Sequence, residues 1–179
     1  MQYALFHLIT GEAHDFILSL QHDVANKFGI TGATRIQSPP HLTLKNFFEV
    51  GDVLKLEALV EKFCSTNTPA PYVLEGFGSF GHDVIYIDVI PTNPLQGLRA
   101  QLHQRLRKES WVQWSTPFDG IDSKLHASVA HTDIREEIFS DVWNFVNQRR
   151  PYFECQFDNI VIVTKDENEA RSVCKEFSL

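Results

Sequence analysis

The hydrophobic and polar positions of this chain predict the same order of elements twice. In the first half, a short apolar run is typical of a buried strand, and apolar residues at helical spacing follow it. Alternating residues then indicate a half-buried strand, and an amphipathic helix and a glycine-containing strand complete the set. The predicted strands of this half lie at 3–9, 41–50 and 72–81, and the helices at 13–28 and 52–64.

The second half begins again with a buried strand, and its elements follow in the same order. The predicted strands lie at 84–90 and 125–131, the helices at 94–110 and 134–149, and the closing strands at 153–163 and 171–179. A repeated order of this kind indicates a duplicated unit of α+β class.

The fold expected from this duplication has two similar lobes related by a pseudo-twofold axis. Antiparallel sheets would line a central cleft, and the helices would lie on the outer faces of the sheets. Residues 1–179 would form one bilobal domain, with approximate repeat halves 1–81 and 82–179.

The second strand of each half begins with a histidine followed two residues later by a hydroxyl. The first strand contains HLTL, with His41 and Thr43, and the other contains HASV, with His126 and Ser128, 85 residues after the first histidine. Side chains two apart on a strand share a face. Two strands related by a twofold axis would therefore present two imidazoles and two hydroxyls to the same cleft.

That set of groups suits chemistry at phosphorus. Imidazole titrates near physiological pH, so one ring can accept a proton while the other donates one. The hydroxyls can donate hydrogen bonds to phosphate oxygens. In-line displacement places the nucleophile and the leaving group on opposite sides of phosphorus, and one histidine on each side meets that requirement without a metal.

The two motifs resemble the H-x-[ST]-x motif that occurs twice in the 2H phosphoesterase superfamily. The sequence is similar to its 2′-5′ RNA ligase and 2′,3′-cyclic phosphodiesterase branch in length, element order, motif separation and the stretch FGSF…VIYIDV. The resemblance implies metal-independent opening of a 2′,3′-cyclic phosphate to a 2′-phosphate, or reversible 2′-5′ joining of RNA ends. The partner would be an RNA terminus or a small cyclic nucleotide, and no cofactor is implied.

The resemblance also implies roles for individual residues. His41 and His126 would be the acid–base pair, and Thr43 and Ser128 would bind the phosphate. Lys45 is expected on the face of His41 and could help hold the anion. Three further positions lie outside the motifs and are interpreted without the resemblance. Trp114 and Phe118 are candidates for stacking on a base. His131 is expected on the strand face opposite His126.

Composition narrows the classes of protein further. The net charge of −7 is unlike that of proteins that cover long stretches of nucleic acid, which are usually basic, so no long duplex is expected as a partner. The three cysteines form no CxxC pair, which favours reduced thiols and a cytoplasmic protein. No apolar segment approaches the length of a membrane span, and a monomer is the default expectation.

Two alternatives remain open from the sequence. The first is a module of the same fold that binds a nucleotide or an RNA end without turnover. The second is a metal site formed by His41, His126 and His131, which is disfavoured because no carboxylate lies at ligand spacing.

Overall fold

A computed structural model of the protein describes residues 1–35, 38–115, 119–166 and 170–179. Its strands are β1 (Gln2–Leu8), β2 (His41–Glu49), β3 (Ala70–Phe80), β4 (Val84–Pro91), β5 (His126–His131), β6 (Tyr152–Phe157), β7 (Asn159–Lys165) and β8 (Arg171–Ser178). Its helices are α1 (Gly11–Phe28), α2 (Gly32–Arg35), α3 (Val53–Cys64), α4 (Asn93–Arg107) and α5 (Glu136–Asn147).

The strands form two four-stranded sheets, which confirms the predicted α+β class. The first sheet has the order β2-β1-β7-β8 and the second has the order β5-β4-β3-β6. Every neighbouring pair is antiparallel. The two histidine strands, β2 and β5, occupy the same edge position in their sheets, each beside the first strand of its half.

The predicted halves 1–81 and 82–179 do not coincide with the two sheets. Strand β3 belongs to the second sheet, and β7 and β8 return to the first. The single strand predicted at 153–163 is in fact two strands, because the chain leaves the second sheet at Asp158 and enters the first at Asn159. The Asn159 side chain fixes this crossing by bonding to both the N–H (2.8 Å) and the C=O (3.0 Å) of Leu8. Local alternation of residues cannot reveal such a change of sheet.

Helix α1 links the first half of the chain to the second sheet. Helix α1 comes from the first half, but it packs against β5 and β6 of the second sheet, while α3 packs against β7 and β8 of the first. The apolar stripe of α1, formed by Ile17, Leu20 and Val24, is buried in a core that is continuous across both sheets. Burying each such side chain contributes roughly 1.5–3 kcal/mol. No helix among the described residues is long and apolar enough to cross a bilayer.

Candidate active site

The two histidine strands meet at one cavity of about 430 Å³. His41 and Thr43 of β2 line it from the first lobe, and His126 and Ser128 of β5 line it from the second. Its volume lies within the range of small-molecule sites, roughly 300–1,000 Å³. The structure therefore brings together the four residues that the two motifs single out. We call this space the histidine cavity.

The ring of His41 is held in one tautomer. Its Nδ1 lies 2.7 Å from the carbonyl oxygen of Pro39 and 3.2 Å from the hydroxyl of Ser38. A carbonyl can only accept, so Nδ1 carries the proton and Nε2 has the free lone pair. The ring also stacks on Phe6 of β1, with centroids 4.0 Å apart and planes within 13°. Both contacts fix the orientation of the imidazole.

His126 is held by an equivalent bond in the other lobe. Its Nδ1 donates to the carbonyl oxygen of Lys124 at 2.9 Å, again two residues earlier in the chain. Two aromatic rings pack around it: Phe80 edge-on at 4.9 Å and Tyr86 at 5.2 Å. Tyr86 in turn lies across Gly78, where a Cβ atom would come within 2.6 Å of its ring. Each motif thus leaves Nε2 as the nitrogen available to a substrate.

Both histidine strands contain a β-bulge directly after the hydroxyl. On β2, Thr43 pairs with Phe6 of β1 and Lys45 pairs with Leu5, so Leu44 is an extra residue. A bulge reverses the alternation of side chains beyond it. Lys45 and Asn46 therefore face the sides opposite to those expected from a regular strand, and a second register shift lies between Lys45 and Phe48.

The same bulge occurs on β5. Ser128 pairs with Tyr86 and Ala130 pairs with Ile85, so Val129 is the extra residue. Val129 and Ala130 are consequently both buried although they are adjacent. The two bulges lie at matched positions of the repeat.

The bulges bring a third residue of each strand into the cavity. Asn46 of β2 and His131 of β5 both line it, and each lies five residues after its catalytic candidate. The expectation that His131 faces away from His126 was wrong, because it assumed a regular strand. The sequence offered one signal for Asn46 and His131: each lies the same number of residues after the histidine of its own motif.

The same bulge overturns the expected role of Lys45. Its side chain is only 1% exposed and does not line the histidine cavity. The ammonium instead bonds to the buried carboxylate of Asp119 at 2.7 Å. That carboxylate also accepts from the backbone N–H of Asn46 (3.0 Å) and from the N–H (2.9 Å) and hydroxyl (2.8 Å) of Ser115. Lys45 therefore anchors the loop before β5 to strand β2, and its ammonium is directed to Asp119 and not to the histidine cavity.

The two residues predicted to stack on a base have different outcomes. Trp114 packs against His103, with centroids 4.5 Å apart, and lies near the cations of Lys45 and Arg107. It is not among the residues that line the histidine cavity, and its role in stacking on a base stays a prediction. Phe118 lies outside the described residues.

The lining of the histidine cavity contains cationic side chains in a protein of net charge −7. Arg171 of β8 and Lys124 line it, and none of the described lining residues carries a carboxylate. No local signal in the sequence pointed to Arg171, because β8 reaches the site only through the return of the chain to the first sheet. The cavity therefore favours an anion.

Burial and these cations lower the pKa of the cavity histidines. The pKa of His41 is lowered to about 3, mainly by burial and also by the charges of Arg171, His126 and His131, while the hydrogen bond to Pro39 acts in the opposite direction. Burial also lowers the pKa of His131, together with Arg171. Both rings are neutral at pH 7 in the absence of an anion.

The surroundings of His126 differ in one charge. Burial and Lys124 lower its pKa, but the carboxylate of Asp88, the cross-strand partner of His126, raises it. Asp88 is paired with Lys124 at 2.8 Å. Among the residues that the structure describes, no carboxylate acts in this way on His41. His126 is therefore the ring whose protonated form is favoured more.

The described residues contain no group of three or more His, Cys, Asp or Glu side chains arranged to hold a metal ion. The three cavity histidines are thus not arranged as a metal site. Their hydrogen bonds and charges fit the recognition of an anion.

The family model of the 2′-5′ RNA ligase superfamily matches residues 26–169, which include both histidine motifs. This chain belongs to that superfamily. Two bacterial relatives, each named "Putative phosphoesterase", support the assignment. The protein of Geobacillus sp. (strain WCH70) is 27% identical over 147 residues, and that of Geobacillus kaustophilus is 26% identical over 147 residues, each match covering 78% of both chains.

Solved structures share the fold at low sequence identity. TT0787 of Thermus thermophilus has a TM-score of 0.67 and 16% identity, covering 100% of this chain and 98% of its own. LigT of E. coli complexed with NADP+ has a TM-score of 0.61 and 16% identity, covering 99% of this chain and 96% of its own. These likenesses confirm the bilobal arrangement of two antiparallel sheets.

Proposed function

We propose that this protein is a metal-independent phosphodiesterase that opens 2′,3′-cyclic phosphate ends of RNA or nucleotides to a 2′-phosphate. The observation that carries the proposal is one cationic cavity lined by two histidines from separate lobes, each with Nδ1 bonded to a carbonyl and Nε2 available. Membership of the superfamily supports the same class of reaction.

The proposed reaction uses one histidine on each side of phosphorus. One imidazole takes a proton from water through Nε2 as the water oxygen attacks phosphorus. The bond from phosphorus to O3′ breaks, and the other imidazole, initially protonated, gives its proton to O3′. The product carries a 2′-phosphate and a free 3′-hydroxyl. The same step gives a 2′-5′ bond when the 5′-hydroxyl of a second RNA end replaces water as the nucleophile: that hydroxyl loses its proton to the base, the bond from phosphorus to O3′ breaks, and O3′ takes the proton of the acid.

Charge distribution favours His41 as the base and His126 as the acid. The positive charge of Arg171 acts on His41 and disfavours its protonated form, as a general base requires. His126 lies opposite Asp88, whose negative charge favours the imidazolium. The hydroxyls of Thr43 and Ser128 and the guanidinium of Arg171 would hold the non-bridging oxygens.

The class of ligand is supported by the structural relatives. LigT of E. coli has been solved in complexes with 3′-AMP, ATP, NADP+ and phosphate. A small cyclic nucleotide or an RNA terminus carries the same phosphate and nucleoside groups. The net charge of −7 is compatible with such a ligand, because the lining of the cavity itself contains cations.

The direct test is a product assay on 2′,3′-cyclic mononucleotides and on RNA with a 2′,3′-cyclic end. Phosphorus NMR distinguishes a 2′-phosphate from a 3′-phosphate. We expect only the 2′-phosphate, formed equally fast with and without a chelator. A His41→Ala/His126→Ala double variant controls for contaminating nucleases. A rate unchanged in that variant would refute the proposal, and product binding without any turnover would indicate a binding module instead.

A further inference from the structure

A second cavity of about 510 Å³ lies beside the histidine cavity. It is enclosed by the end of β4, the first turns of α4 and the segment before β5. Ser123 and Lys124 line both cavities, so these two residues lie between them. We call them the Ser123–Lys124 rim. The second cavity falls in the size range of a site for one small ligand.

The rim is a fixed part of the structure. Arg99 of α4 donates through Nη2 to the hydroxyl of Ser123 at 2.7 Å, to the carbonyl oxygen of Ser123 and to that of Gly120 at 3.3 Å. Lys124 is held to Asp88 at 2.8 Å, and its carbonyl orients His126. A ligand that crosses the rim would therefore meet a preformed surface next to the acid histidine.

The second cavity differs chemically from the histidine cavity. Its walls include the buried apolar side chains of Val89, Leu95 and Leu125 and the exposed side chain of Ile121. Its charges balance, because Arg99 and Lys124 are matched by Asp88 and Asp122. A charge-balanced space with apolar walls suits a neutral heterocycle that has both donors and acceptors better than it suits a phosphate.

We propose that the second cavity binds the nucleoside that precedes the cyclic end, so that the preferred substrate is an oligonucleotide terminus rather than a mononucleotide. This inference rests on the proposed function. The terminal nucleoside and its cyclic phosphate occupy the histidine cavity, and the preceding base occupies the second. The phosphodiester that joins the two nucleosides then crosses the Ser123–Lys124 rim, where the ammonium of Lys124 and the hydroxyl of Ser123 can donate to it.

The test compares a 2′,3′-cyclic mononucleotide with a dinucleotide that ends in the same cyclic phosphate. We expect kcat/KM to be at least about tenfold higher for the dinucleotide, a modest effect for one additional bound base. Gln96→Trp places a large ring at the second cavity from an exposed position on α4 that does not line the histidine cavity. It should remove the preference and leave mononucleotide turnover unchanged.

Gln101→Trp is the matched control, because Gln101 is exposed on the same helix and does not line either cavity. It should keep the preference. Equal kcat/KM for both substrates in the wild type, or a preference that survives Gln96→Trp, would overturn the inference while the proposed function stands. If neither substrate is turned over, the proposed function fails. In that case, equilibrium binding of the 2′-phosphorylated dinucleotide and mononucleotide is measured for the wild type and for Gln96→Trp. Tighter binding of the dinucleotide that Gln96→Trp removes would support the second cavity as a nucleoside site. Equal binding of the two ligands to the wild type, or a preference that survives Gln96→Trp, would overturn it.

Discussion

The strands β2 and β5 perform the same task with different neighbours. Each holds a histidine through a carbonyl two residues earlier, presents a hydroxyl beside it and bulges at the next residue. Beyond the bulge they diverge: β2 continues with Lys45 and Asn46, and β5 with Ala130 and His131. The matched part is the part that a phosphate would contact. The two strands therefore share the motif and the bulge and differ in the residues that follow them.

The largest expected effect tests the matched part. His41→Ala and His126→Ala should each lower turnover of a 2′,3′-cyclic nucleotide by roughly 10²–10⁴, the usual contribution of one general acid or base. His22→Ala, at an exposed position outside the cavity, is the control and should be neutral. A large loss in only one of the two cavity variants would show that the strands do not share the chemistry equally.

The second prediction concerns the divergent part. Lys45→Met leaves the buried carboxylate of Asp119 without its cation, which should lower the free energy of unfolding by about 3–5 kcal/mol. Lys124→Met breaks the half-exposed pair with Asp88 and should cost at most about 1 kcal/mol. Urea denaturation measures both. Equal losses would mean that the Lys45–Asp119 pair does not stabilise the loop before β5.

The third prediction separates the roles of the two histidines. A nucleoside 4-nitrophenyl phosphodiester has a leaving group that departs without protonation. On this substrate His126→Ala should lose at most about tenfold in rate, whereas His41→Ala should keep a loss of roughly 10²–10⁴, since the base is still required. The release of nitrophenolate is followed by absorbance. The opposite ranking would exchange the assignments of acid and base.

The fourth prediction compares the two hydroxyls. Thr43→Val and Ser128→Ala each remove one donor to the phosphate, and such a charge-assisted bond contributes about 1.5 kcal/mol or more. We therefore expect kcat/KM to fall at least about tenfold in each variant. Ser140→Ala, at an exposed position on α5, is the control for a lost hydroxyl. An effect confined to one strand would place the phosphate closer to that lobe.

The smallest effect is a displacement of the pH profile. The pKa values of His41 and His126 are both lowered in the free protein, so each ring loses its proton below its ordinary value near 6.5. The alkaline limb of kcat/KM follows loss of the acid's proton, and it should therefore lie below about pH 6.5. A bound phosphate favours the imidazolium, so the alkaline limb of kcat should lie at higher pH. An alkaline limb of kcat/KM well above pH 7 would contradict this.

The sequence predicted the elements better than their connections. Periodicity alone indicates strand or helix, so the order of elements in each half was correct apart from the short helix α2. It did not indicate that residues 153–163 divide between two sheets, because both parts are apolar runs and the crossing at Asp158 has no local signature. The two histidines were identifiable because a motif that occurs twice at equivalent places is rarely accidental.

The bulges were the main feature that sequence reasoning missed at the site. Alternation placed Lys45 towards the cavity and His131 away from it, and one extra residue in each strand reversed both. A bulge depends on pairing with a neighbouring strand, β1 or β4, and a single strand's pattern does not contain that information. The position of Arg171 has the same kind of origin, since it depends on where β8 joins the first sheet.

The sequence by itself determined the candidate reactive groups: two imidazoles and two hydroxyls, with one of each on the same face of each strand, because side-chain alternation is a local property of the backbone. Only the tertiary structure decided which further groups surround them. The cations Arg171 and Lys124, the inward turn of Asn46 and His131 and the burial of Lys45 all follow from strand pairing and chain crossing. These are contacts between distant parts of the chain, and their geometry is set by packing rather than by any local pattern of residues.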